Sequence, residues 1–149
     1  MAAKWQRIKI QLDEPIKDED AREVLGDLIV ERIVERTSQG KDVDGNRFPA
    51  YSPKYKESLD FKIAGKGSTV DLQLSGDMLA SLKVLKHTRN WIEVGFEKRS
   101  EENARADGNI RGTYGTDSPI PGKARNFLGI SDKDLLKLVK YVKKSNSIA

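Results

Sequence analysis

From Trp5 to Leu12 the chain alternates, placing Ile8, Ile10 and Leu12 on one side, the period of a strand with one buried face. Pro15 closes that run, and Asp18-Glu19-Asp20 puts acid where the free N–H groups of a helix start favour it. Ala21, Val24, Leu25, Leu28, Ile29 and Ile33 then recur at intervals of three and four, with Val30 and Val34 widening the stripe. Glu23, Asp27, Glu31, Glu35 and Arg36 fall on the other side. This spacing predicts an amphipathic helix of about five turns that packs on a sheet, with Gly40 as its stop.

Residues 41–69 lose the period. Asp44-Gly45-Asn46 is a turn signal, Ser52-Pro53 opens a short helix through about Ser58, and Gly65-Lys66-Gly67-Ser68 is a flexible connection. Val70, Leu72 and Leu74 alternate as a strand, and Ser75-Gly76-Asp77 caps a helical turn from Met78 to Leu82. A hairpin follows: Lys83 to His87, a turn at Thr88-Arg89-Asn90, then Trp91 to Phe96 with Ile92, Val94 and Phe96 on one face.

Between Lys98 and Lys123 no apolar period survives, and Gly108, Gly112, Gly115 and Gly122 accumulate beside Pro119 and Pro121. This segment reads as an extended glycine-rich arm. Ser131-Asp132-Lys133-Asp134 then starts a last helix with Leu135, Leu138, Val139 and Val142 on one face, and residues 145–149 read as a frayed tail. The order predicts a single α+β domain over residues 1–149. A small antiparallel sheet packs against a long N-terminal helix and a C-terminal helix, with the 98–123 arm outside.

Composition narrows the function. The 149 residues hold no cysteine and one histidine, which removes disulfide frameworks, thiolate metal sites and thiol nucleophiles. No apolar run reaches the ~18–20 residues of a membrane span, and the first residues lack the apolar block of a signal peptide, so no membrane association is expected. Only 37% of the residues are hydrophobic against 34% charged, so the core is thin.

Each candidate for chemistry weakens on inspection. Asp42-Val43-Asp44-Gly45-Asn46 has oxygens at alternate positions as a calcium loop does, but Arg47 stands where its glycine belongs and Pro53 where its bidentate glutamate belongs. Gly65-Lys66-Gly67-Ser68 lacks the contiguous Gly-Lys-Ser/Thr of a phosphate loop. His87 reads as an exposed strand residue among Lys83, Lys86 and Arg89. No metal, cofactor or catalytic residue is expected. The net charge of +4 is spread over acidic and basic blocks, with lysines crowding the last helix and Arg99, Arg105, Arg111, Lys123 and Arg125 along the arm. A small basic nucleic-acid-binding module therefore stays open as an alternative. Ile110, Tyr114, Ile120 and Phe127 are costly to leave in water together, which favours an arm that docks on a neighbouring subunit.

The stretch Gly122-Lys123-Ala124-Arg125-Asn126-Phe127-Leu128-Gly129 resembles the Pro-Ala-Arg-Pro-Phe-Leu-Gly hallmark of the phage virion-morphogenesis family, the tail-completion and head–tail joining proteins of Mu-like phages. Leu74-Ser75-Gly76-Asp77-Met78-Leu79-Ala80-Ser81-Leu82 resembles its Leu-x-x-Thr/Ser-Gly-x-Leu-x-x-Ser segment, and Trp91-Ile-Glu-Val-Gly-Phe96 its Val-Gly strand. Asp44 to Ser52 is similar to its Gly-x-x-aromatic-x-x-Leu-Ser stretch, with Tyr51 in the Leu position. The match spans roughly residues 21–142. It departs at Asn103 to Ile110, where many members carry a histidine, and at Lys123 and Asn126, where they carry prolines.

The resemblance implies a non-enzymatic structural subunit of the virion neck or tail, assembled in the host cytoplasm. It would form a homo-oligomeric ring, hexameric by analogy, that closes the tail tube or joins it to the head. Implied partners are tail-tube and head–tail connector proteins, with non-specific contact to packaged DNA. On the arm reading, Ile110, Arg111, Tyr114, Lys123, Arg125, Phe127 and Leu128 carry the subunit contacts. Arg125 would pair with a carboxylate, and Phe127 and Leu128 would fill the edge of the core.

Overall fold

The computed structural model describes residues 3–48, 77–113 and 124–148. The expected helix after Pro53, the Gly65–Ser68 connection, the strand over Val70–Leu74, and the side chains of Tyr114 and Lys123 lie outside the described residues. Among those described, the order is β1 (Arg7–Gln11), α1 (Glu19–Ser38), α2 (Asp77–Ala80), β2 (Lys83–His87), β3 (Trp91–Gly95), α3 (Glu101–Arg111) and α4 (Asp132–Ile148). The class is α+β, as the periodicities predict.

The described strands form one antiparallel sheet in the order β1-β3-β2. Ile8 faces Val94 and Ile10 faces Ile92 across β1 and β3, while Val84 faces Val94 across β2 and β3, so one side of the sheet is continuous hydrocarbon. A bulge between Val84 and Lys86 resets β2, which returns Lys86 to the outer face and His87 to the inner one.

On that inner face α1 lays Ala21, Leu25, Ile29 and Ile33. Asp18 caps its start by accepting from the Asp20 N–H at 2.9 Å, and Gly40, at φ +78°, takes the left-handed turn beyond its end. Val24 departs from the expected stripe and is 48% exposed. Gly26 takes the buried place beside β2, where a Cβ would stand 2.7 Å from Val84 Cγ2. Apolar identity alone put Val24 inside; the helical angle puts it on the far side from Leu25 and Ile29. α4 packs along α1, with Leu135, Leu138 and Val139 partly buried and Val142 fully so. Ser131 Oγ accepts from the Asp134 N–H at 3.2 Å, the cap its sequence announces. α4 continues through Ile148, so residues 145–148 are helical and not frayed.

The largest correction falls on the arm. Residues 101–111 form a three-turn helix, α3, inside the segment read as extended. Its signals were capping signals: Ser100 accepts from the Asn103 N–H at 3.0 Å, Glu101 and Glu102 sit in the first turn, and Gly112 closes the end at φ +73°. No apolar stripe accompanies them because α3 buries a polar seam. The Asn103 amide accepts from the Gln6 N–H at 2.7 Å and donates to the Lys4 carbonyl at 3.0 Å, the pair of bonds a neighbouring strand's peptide would make. Behind it, Ala106 and Gly108 lie flat and buried.

Gly95 gives a test of this packing. A Cβ there would meet the Gln6 carbonyl oxygen at 2.5 Å and Arg7 Cα at 2.7 Å, both backbone of β1 and its lead-in. Gly95→Ala is expected to destabilise the protein by about 1–3 kcal/mol in urea unfolding, the usual cost of forcing atoms into a packed site.

Candidate functional site

Within the stretch that carries the family resemblance, Arg125, Phe127, Leu128 and Gly129 are buried and Ala124 and Asn126 face outward. Phe127 is fully buried, its ring edge-on to Phe96 at 6.2 Å between centroids and 77° between planes. Leu128 is 6% exposed and belongs to the same core. Gly129 passes so close to the 42–46 turn that a Cβ would come within 2.9 Å of Val43 Cγ2. The Arg125 N–H donates to the Asn109 carbonyl at 2.7 Å, and Arg125 Nη1 to the Asn109 side-chain oxygen at 3.4 Å, which ties the segment to α3.

The group that locks this segment down is Arg36, which the periodicity placed on the solvent side of α1. It is 3% exposed. Its guanidinium donates from Nη1 to the Gly129 carbonyl at 2.8 Å, from Nη2 to the Phe127 carbonyl, and from Nε to the Lys41 carbonyl at 3.3 Å. Burial pushes its pKa down, as does the neighbouring Arg32 charge, and the carboxylates of Asp134 and Asp42 partly offset both. The chain turns back on α1 at Gly40, which brings the fork of donors inward to the carbonyls of Lys41, Phe127 and Gly129.

The other contact residues expected from sequence are also spent within this chain. Arg111 grips Asp107 with two bonds, 2.7 Å from Nε and 2.6 Å from Nη2, and Gln6 Nε2 adds a third at 2.8 Å. Burial raises the Asp107 pKa, but the bonds from Arg111 and Gln6, the Arg111 charge and a Lys4 backbone N–H outweigh it and hold the carboxyl below its ordinary value. Ile110 is partly buried against the core. Phe127 and Leu128 fill the core as expected and Arg125 is buried beside α3, whereas Ile110 and Arg111 are only partly covered by their own subunit.

His87 is a second correction. It faces α1 with its side chain 16% exposed, and Arg22 Nε donates to its Nδ1 at 3.1 Å. Its Nε2 stands 4.0 Å from Glu23 Oε1, and with Glu19 these atoms are close enough together to suggest a cation site. The hydrogen bond argues otherwise. Accepting at Nδ1 leaves the proton of a neutral imidazole on Nε2, the nitrogen facing the glutamates, and the Arg22 guanidinium repels a further cation. The Asp42 loop is a turn: its Oδ1 accepts from the Asp44 and Asn46 N–H groups, both at 2.9 Å. A groove of about 480 Å³ between the end of β1 and α4 is lined by Leu12, Leu135, Leu136 and Val139 together with charged residues, of which Lys143 and Glu14 pair with each other at 2.7 Å.

What remains outward is charge, sorted by face. On the outer side of the sheet Arg7, Lys9, Lys83 and Lys86 are exposed around the buried acid Glu93, and Lys83 also pairs with the exposed Glu97. Arg7 bridges Glu93 at 3.3 Å and stacks on Trp5 at 3.9 Å, and Lys9 stacks on Trp91 at 4.4 Å. On the outer side of α1 stand Glu19, Glu23, Asp27, Glu31 and Glu35, all exposed and each one turn from the next. The arginines of α1 do not neutralise this ridge evenly. Arg22 and Arg36 bond to inner groups, and Arg32 reaches Asp134 of α4 at 3.0 Å, with Glu35 at 3.7 Å.

The chain matches no family model, no curated protein and no solved structure. No helix among the described residues is long and apolar enough to cross a membrane.

Two measurements check the site. Arg36→Met strips two buried carbonyls and one partly buried carbonyl of the Arg36 donor and is expected to cost about 2–4 kcal/mol in urea unfolding, with faster amide exchange at residues 127–129. Asp107 supports the fold fully above its ordinary pKa of 3.8, and that support is lost as pH falls through the lowered folded value. Unfolding free energy measured below pH 3.8 should therefore fall less steeply for Asp107→Asn than for the natural protein.

Proposed function

We propose that this chain is a non-enzymatic structural subunit of a tailed-phage virion, placed at the neck or the head-proximal end of the tail. Copies form a ring that closes the tail tube or joins it to the head connector, with hexameric number by analogy. The observation that carries the reading is the seating of residues 124–129, where the resemblance is strongest and where Arg125, Phe127, Leu128 and Gly129 each have a distinct packing task. A fold that depends on those tasks gives a physical reason for such a stretch to recur. The two oppositely charged faces add support, since they suit a subunit that meets neighbours through polar surfaces.

A second reading, the nucleic-acid module, draws on the cations beside Trp5 and Trp91. It requires tight binding of duplex DNA by the isolated protein that falls steeply as salt rises.

The deciding experiment is removal of the protein from an infecting phage. Particles that normally contain it should then accumulate as separate heads and tails, or as tails of uncontrolled length, in electron micrographs. Normal virions formed without it, or its absence from purified particles, would overturn the proposal.

A further inference from the structure

α1 packs its apolar side on the inner face of the sheet, so its acidic ridge and the sheet's cationic outer face point in opposite directions from one two-layer body. The ridge from Glu19 to Glu35 is about 24 Å long at the helical rise. Each five-residue strand of the cationic face is about 17 Å long. The Glu23–Glu31 part of the ridge, about 12 Å long, fits within that length and carries the opposite charge.

We infer that the acidic ridge of α1 on one copy of this chain docks on the outer sheet face of the next, with Glu23, Asp27 and Glu31 opposite Lys9, Lys83 and Lys86. This deepens the assembly reading above and rests on it. Because the two patches differ and lie on opposite sides, the contact is head-to-tail: every bound copy still offers one unused face of each sign. Such a contact grows until it closes into a ring or continues as a filament.

A second copy fits the cationic face better than a nucleic acid does. Base stacking needs bare aromatic faces, and Arg7 and Lys9 already lie over Trp5 and Trp91. Glu93 at the centre of the cations also repels a phosphate chain laid across them. A row of separate carboxylates can straddle it, pairing with the lysines on either side.

The test uses two variants of the full chain, each changed only at exposed positions. Asp27→Lys with Glu31→Lys inverts the ridge, and Lys9→Gln, Lys83→Gln and Lys86→Gln together empty the sheet face; circular dichroism checks that both remain folded. In sedimentation velocity at low ionic strength the natural protein should associate reversibly, and it should dissociate near 1 M salt, where the screening length is about 3 Å. Each variant alone should associate about tenfold or more weakly. Mixed in equal amounts, they should form a one-to-one dimer and nothing larger, since one retains the cationic face and the other the ridge.

Variants that associate like the natural protein, a mixture that stays monomeric, or a natural protein monomeric throughout would overturn the contact. So would a sheet-face variant that loses DNA binding while its association is unchanged. The outcome is separable from that of the virion experiment. A subunit found in particles whose variants still assemble defeats this contact alone, and paired variants of a protein absent from particles defeat the virion reading alone.

Discussion

A guanidinium buried against peptide carbonyls holds the described parts of this protein in register. Arg36 leaves α1, meets the carbonyls of Lys41, Phe127 and Gly129, and so joins the helix, the turn after it and the segment before α4 at one point. An arginine taken out of water is costly unless its donors are used, and a buried carbonyl is costly unless it accepts. Each side of this contact satisfies the other. Phe127 can fill the space beside Phe96 only because the peptides flanking it are served in this way.

The same economy governs the surface. Arg22, Arg32 and Arg36 are directed to inner or neighbouring partners, so the cations of α1 are withdrawn from its outer side and the acids are left there. The +4 of the whole chain conceals this separation, because the balance of one sign against the other is made across the body and not within each face. Glu93 is the counterpart on the sheet: one acid, covered by its neighbours, beneath an outward field of lysine and arginine.

Much of the fold was legible because its elements obey simple periods. The strand through Ile8 and Ile10, the helix through Leu25, Ile29 and Ile33, the hairpin around residues 88–90 and the Ser131 cap all follow from spacing and turn chemistry. α3 was not legible that way. Its buried side is Asn103, Ala106, Asp107 and Gly108, and a helix that docks through hydrogen bonds shows no apolar stripe; its caps at Ser100 and Gly112 were the only local trace. Arg36 was missed for a related reason. A charged residue defaults to the solvent side of a helix, and two of its three acceptors are backbone atoms more than ninety positions away that no pattern near Arg36 reveals. Phe127 and Leu128 were legible as core-filling residues, and both are buried inside the subunit.

That separation in sequence has a consequence for the order in which the chain acquires its structure. The partners of Arg36 lie 91 and 93 residues downstream, and Asn103 and Asp107 lie 97 and 101 residues after the Gln6 groups they bind. On a ribosome adding about 5–20 residues per second, the first helix waits roughly 5–20 seconds for the peptides that complete it. For the first part of that interval, until Gly95 is made, its apolar side lacks β2 and β3 to cover it. The acids along its other side give that helix a net negative charge, which opposes its association with other copies while the strands are still to come.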